Sequence, residues 1–184
     1  MSGKERSSNA AHRRYQKVLV FLLKLLALAV PFHVAISYAD LSALQQFTAS
    51  NVHAFLGLFG IKSALNGAVL RFDGFDVLVS RDSTGWKSVF FLTALILASE
   101  AKIGHKIAGV LLFVPAIYVV NVVRIAITAY SAFFGVDMFV LFHDFLWQVG
   151  MTLAVIAMWV VWFMRRNAIY DTTARTLKRL KTAL

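Results

Sequence analysis

Apolar runs long enough to cross a bilayer alternate along this chain with short polar and charged breaks. A crossing helix needs roughly 20 predominantly apolar residues. The segment from Val18 to about Ala39 meets that length and is read as a first membrane helix kinked near Pro31. From Leu41 to Phe59 the pattern weakens. Leu41, Leu44, Phe47, Val52, Phe55 and Leu58 recur at mostly helical spacing among Gln45, Gln46, Ser50, Asn51 and His53, which predicts an amphipathic helix lying in the interface. Around Asp73-Gly74 the period changes to two. This dipeptide favours a two-residue hairpin turn with positive φ at both central residues. Pairing outward sets Phe72 against Phe75, Leu70 against Val77 and Ala68 against Val79 on an apolar face, with Arg71 opposite Asp76 on the other. A short second span runs from Trp86 to about Ser99, then Glu100, Lys102, His105 and Lys106 make a tight charged turn. The longest run, Ile107 to Phe134, follows, then a Phe-rich connection from Gly135 to His143-Asp144 and a fourth span from Phe145 to Met164. The expected fold is an all-α polytopic membrane protein of about four transmembrane helices, with an interfacial helix and a short β-hairpin on the outer side.

The Ile107–Phe134 run carries a polar stripe. Tyr118, Asn121, Arg124, Thr128 and Ser131 follow one another at spacings of three or four and share one helix face. An arginine at mid-bilayer costs roughly 2.5–3.5 kcal/mol on insertion scales, so such a residue faces a protein interior or a wet cavity. Snorkelling to the nearer headgroups is the alternative, but it leaves Asn121, one turn away, unexplained. Below Tyr118 this helix has no polar side chain until Lys106, so the polar region reads as a cup open on one side.

Composition and charge sharpen the picture. With 59% apolar residues in 184, the chain is too hydrophobic for a soluble domain of its size. A single membrane-embedded domain over residues 1–184 is expected. The net charge of +10 does not point to nucleic acid, because the basic residues fall where membrane topology puts them. Thirteen lie in residues 1–17, in the 100–106 turn and in the 165–184 tail, against four (Lys62, Arg71, Arg81, Lys87) in the intervening outer segments. This bias puts both termini in the cytoplasm. There is no cysteine, hence no disulfide, thiolate metal site or thiol nucleophile, and no metal or cofactor is implied.

In that orientation three helices bring reactive side chains to one depth: the second begins near Ser83, the third reaches the outer side at Arg124, and the fourth begins at His143. Each has a plainer reading. Asp82, Ser83 and Thr84 are helix-capping types, and His143 with Asp144 could cap the fourth helix. Taken together they read as a site. The helix dipole and the amides of Thr84 and Gly85 would favour an oxyanion, Arg124 would hold an anion, and His143 would move protons. Gly85 would let a substrate backbone approach.

Ser83-Thr84-Gly85 with Ser88 three residues on, then Asn121-Val-Val-Arg124-Ile125, then His143, resembles the exosortase/archaeosortase family of membrane transpeptidases over roughly residues 60 to 165. The family motif reads Cys-Thr-Gly-x-x-Ser, with a triad of Cys, Arg and a His or second Arg on the outer face. The resemblance therefore sets Ser83 at the nucleophile position, Arg124 at the arginine position and His143 at the third. Thr84, Gly85, Ser88, Asn121, Thr128 and Asp144 become supporting residues. It implies a protein of a prokaryotic cytoplasmic membrane. Its substrates would be secreted proteins tagged by a short C-terminal motif, a transmembrane helix and a basic cluster. The new carboxyl end would pass to an acceptor, a lipid in archaeal cases. Serine at position 83 departs from the pattern, since a hydroxyl needs a general base where a thiolate does not. Two accounts follow: an engineered Cys-to-Ser replacement that stops turnover while keeping substrate binding, preferred because arginine is a poor base, or a natural member in which His143 activates Ser83. Rival classes are a rhomboid-like Ser/His intramembrane protease, which needs no arginine, and a non-enzymatic transporter or assembly subunit, which would need a polar path through the membrane.

Overall fold

The structure, a computed structural model, describes residues 3–165. The basic tail beyond Arg165 therefore lies outside the described residues. Helix α1 (Gly3–Tyr38) already includes much of the basic N-terminal segment, and α2 (Ser42–Leu58) follows after a three-residue break. Strands β1 (Ala64–Asn66), β2 (Val69–Phe72) and β3 (Phe75–Leu78) come next, then a 3-10 turn over Arg81–Thr84. Helix α3 (Trp86–Ala98) and the long α4 (Ile103–Ser131) form an antiparallel pair. After a 3-10 turn at Ala132–Phe134, α5 (Val136–Phe145), a π turn (Leu146–Gly150) and α6 (Met151–Arg165) run on without a break.

Two segments, Tyr15–Tyr38 and Ile103–Phe134, are long and apolar enough to cross a bilayer. α3 and α6 are apolar but shorter. At 1.5 Å per residue α3 spans about 20 Å, less than the roughly 30 Å hydrocarbon thickness. Leucines of α1 such as Leu19, Leu22, Leu23 and Leu26 are more than half exposed, the surface expected of a helix facing lipid.

Helix α4 organises two cores. Its first half packs with α3 and α6 around Leu92, Ile96, Ile117, Met151, Val155 and Trp162. Its second half packs with α2 and the sheet, where Val122, Ile125, Ala126 and Ala129 meet Val52, Leu56, Leu70 and Val77. Gly109 lets α4 and α6 close up. A Cβ there would stand 2.2 Å from Trp162 Nε1, which donates to the His105 carbonyl at 3.2 Å.

The hairpin register is as the sequence pattern predicts: Phe72 faces Phe75, Leu70 faces Val77, Arg71 faces Asp76, and Val79 N–H bonds Ala68 O at 2.9 Å. Two details differ. Only Gly74 of the turn has positive φ, 92°, so the left-handed residue is the second central one alone. A third strand, β1, adds to β2. All three of its residues are exposed, so it carries no alternating pattern by which to be seen.

The predicted amphipathic helix is present as α2. Phe47 and Leu58 are exposed, whereas Thr48, Ala49, Val52 and Leu56 are buried. Small side chains at 48 and 49 form the buried seam toward α4 and the sheet. Asp40 holds the entry to α2, its carboxylate accepting from the Ser42 amide at 2.9 Å and the Ser42 hydroxyl at 3.0 Å. These bonds, the amide first, hold the Asp40 carboxyl below the usual carboxylate range.

The segment expected as a connection after Gly135 is helical. Gly135, at φ 110°, ends the previous turn, and Asp137 sits favourably in the first turn of α5. His143 is consequently in the last turn of α5 and does not cap a fourth helix. Likewise His105 and Lys106 belong to the first turns of α4, and His105 is buried.

The two ends of α1 identify the two ends of the bundle. Near its start Lys17 pairs with Glu100 at 2.9 Å and Phe21 packs on Trp159. Near its end Phe32 stacks on Phe90, and the Arg81 guanidinium donates to the carbonyls of Ile36 and Ser37. A cation on the C-terminal carbonyls of a helix is electrostatically favourable. It ties the 3-10 turn to that end.

Candidate active site

The site is assembled where β3 hands the chain to α3. Gln45 of α2 donates to the Val79 carbonyl at 3.0 Å, pinning the exit from the sheet. Ser80 then caps the 3-10 turn: its hydroxyl accepts from the Ser83 amide at 3.3 Å, which also bonds the Ser80 carbonyl at 3.0 Å. Ser83 is thus the recipient of a cap. The cap of α3 is Gly85, which makes no side-chain bond, and Asp82 pairs with Lys87 at 2.8 Å. Thr84 is buried, its hydroxyl donating to the Arg81 carbonyl at 2.8 Å.

Helix α4 grips this turn from the other side. Asn121 Nδ2 donates to the Ser83 carbonyl at 3.0 Å, and Arg124 Nη2 reaches the same oxygen at 3.5 Å. Gly85 is needed for this grip, because its φ is +81° and a Cβ there would meet Asn121 Nδ2 at 2.7 Å. The close approach that Gly85 makes possible in this structure is that of Asn121. The rest of the stripe is also turned inward. Tyr118 accepts from Asn51 at 2.9 Å, Thr128 donates to the Arg124 carbonyl at 3.0 Å, and Ser131 donates to that of Thr128 at 2.7 Å.

Arg124 is only 7% exposed, which rules out snorkelling. Among the described residues its Nε has no hydrogen-bond partner. A buried unsatisfied donor costs about 1–3 kcal/mol, and more when charged, so the group is poised for an acceptor. A cavity of about 140 Å³ is lined by Ser80, Ser83, Arg124, Thr128 and His143, with Val77, Leu78, Ile125 and Phe139 as apolar walls. Water occupies about 30 Å³ in the liquid, so the space suits a few waters or one acyl group.

Ser83, Arg124 and His143 are brought together from the 3-10 turn, α4 and α5. His143 stacks on Phe139, one turn earlier on α5, with ring centroids 5.8 Å apart, and its Nδ1 lies 3.2 Å from Asp144 Oδ1. Asn121 and Thr128 support the turn and α4. Ser88 is not at this cavity; it lines a larger groove between α3 and α6, with Phe91, Met151 and Val155. Two residues went unread in the sequence. Ser80 was legible only as an extended residue ahead of a turn, and Phe139 only as a helical neighbour of His143.

A helical membrane protein that opens a small polar cup at one end of its bundle, with a buried arginine beside a helix-entry turn, defines the class. The chain belongs to the transmembrane exosortase family, whose sequence model matches residues 10–163. Members are membrane-integral sorting transpeptidases of the cysteine type that act on secreted proteins bearing C-terminal sorting signals. This membership decides against the rhomboid-like and transporter readings. Comparisons with curated proteins and with solved structures give no match.

Proposed function

We propose that this chain carries the sorting-transpeptidase site of its family at Ser83, Arg124 and His143, with serine in place of the usual thiol leaving it impaired. The observation that carries the reading is the shared cavity, which Ser83, Arg124 and His143 line from three elements. With a thiolate at position 83, sulfur attacks the carbonyl carbon of the scissile peptide. Arg124 neutralises the anionic intermediate, the C–N bond breaks, and His143 gives the leaving amine its proton. An acceptor nucleophile, a lipid among the candidates, then displaces sulfur from the acyl carbon. A serine hydroxyl at the same place keeps its proton near neutral pH unless a base removes it.

The depth of the site supports an outward-facing cup. Arg124 lies about 31 Å along α4 from Ile103 and about 10 Å from Ser131, close to the far boundary of a hydrocarbon layer roughly 30 Å thick. With Lys17 and Glu100 at the opposite end of the bundle, the positive-inside bias directs that end to the cytoplasm. Four crossings, through α1, α3, α4 and the α5–α6 run, complete this topology.

The test co-expresses a secreted reporter carrying a tripartite tag from the same genome. Ser83→Cys yields the shortened product, the unmodified chain does not, and Arg124→Ala in the Ser83→Cys background abolishes it. Processing by the unmodified chain that Ser83→Ala stops would replace the impaired form with a natural serine enzyme. Equal processing by the unmodified, Ser83→Cys and Ser83→Ala chains would remove position 83 from the chemistry.

A further inference from the structure

We propose that Ser80 is a positioning residue for the reacting atom at position 83. The inference rests on the reading of position 83 as the nucleophile. One hydroxyl holds both ends of the residue: Ser80 Oγ is 3.0 Å from Ser83 Oγ and 3.3 Å from the Ser83 amide nitrogen. Ser80 Oγ spends one lone pair on the amide, and between the two hydroxyls either can donate; an anion at position 83 carries no proton, so in that state the donor is Ser80. The Ser80 proton then turns to the side-chain atom of residue 83, inside the cavity that Ser80 also lines. The 3-10 turn enforces the geometry, since residues three apart eclipse one another in it. An anion at position 83 thus receives a hydrogen bond from a donor already fixed in place, with no reorganisation at the moment of attack.

Other titratable groups surround the position. Arg124 faces it from α4 and His143 from α5. On its own turn Asp82 is paired with Lys87 of α3, and Arg81 is spent on the end of α1. The sheet contributes only Val77 and Leu78 to the cavity. Ser80 is therefore a neutral donor in the cup, acting beside Arg124, and its effect is separable from that of the charge.

The absence of cysteine makes the test clean. Ser83→Cys introduces a single thiol, whose rate of alkylation by iodoacetamide is followed against pH in the full chain, with no substrate present. Adding Ser80→Ala moves the midpoint of that profile upward by about one pH unit, a tenfold fall in thiolate below the midpoint. Ser80→Thr restores it. Ser80→Asp keeps a capping acceptor for the Ser83 amide but lacks the donor, so its midpoint also rises. The alkaline plateau rate stays within about twofold in all four chains. An unmoved midpoint, a changed plateau alone, or a shift that Thr fails to reverse reduces Ser80 to a structural cap and overturns the inference. If Ser83→Cys processes the reporter while its midpoint ignores Ser80, only this inference falls. If the midpoint responds but no processing occurs, the transpeptidase reading falls instead.

Discussion

Replacing Gly85 by alanine separates two demands that the structure makes on one position. The first is conformational. At φ +81° an L-residue is in left-handed space and pays roughly 1–2 kcal/mol. The second is steric, because the new Cβ would lie 2.7 Å from Asn121 Nδ2, 2.8 Å from its Cγ and 3.2 Å from its Cβ. Asn121 is 1% exposed and packed on α4, so it has to give up its bond to the Ser83 carbonyl. Leaving a buried amide unpaired adds about 1–3 kcal/mol. The total, about 2–5 kcal/mol, is a large part of a stability of about 5–15 kcal/mol. Unfolding in mixed micelles, titrated with denaturing detergent, measures it. The same substitution in an Asn121→Ala background meets only the contact at 3.2 Å. Its cost there falls to the backbone strain, and the coupling between the two sites reads about 1–3 kcal/mol. A single-variant cost below about 1 kcal/mol, or equal costs in both backgrounds, would show that Asn121 does not lock the Arg81–Thr84 turn through this glycine.

Gly109→Ala drives a methyl group into the Trp162 indole and overpacks the core between α4 and α6, lowering stability by about 1–3 kcal/mol in the same assay. Unchanged stability would mean that the helices part there at no cost. For topology, single cysteines at Lys62 and Arg175 of this cysteine-free chain are exposed to a membrane-impermeant thiol reagent in intact cells. Only the Lys62→Cys chain is labelled, and labelling at position 175 would reverse the proposed orientation.

Much of the fold was legible in local patterns, because a bilayer imposes its demands on contiguous residues. The long run around Arg124, the start of α3 at Trp86 and the register around Asp73-Gly74 depend on hydrophobic length or on period, which the sequence displays directly. β1, whose residues are all exposed, has no such signature. The buried seam of α2 is built partly from Thr48 and Ala49, which hydrophobicity alone does not mark.

At the site, the sequence by itself determined the residue types and their spacing. Asn121 and Arg124 fall on one face three residues apart, so any helix through them presents both to the same neighbour. What that neighbour is, only the tertiary structure decided. The packing of α4 against the 3-10 turn makes the Ser83 carbonyl their common partner, leaves Arg124 Nε without one, and gives Gly85 to Asn121. The same packing sends Ser88 to a separate groove, because five residues of turn and helix rotate it away from Ser83. His143 enters the cavity from the last turn of a helix that the pattern had hidden in a Phe-rich stretch. Distance along the chain sets which side chains a helix can offer together, whereas contact between segments some 40 residues apart, as between Ser83 and Arg124 (|i−j| of 41), is fixed only when both cores around α4 close.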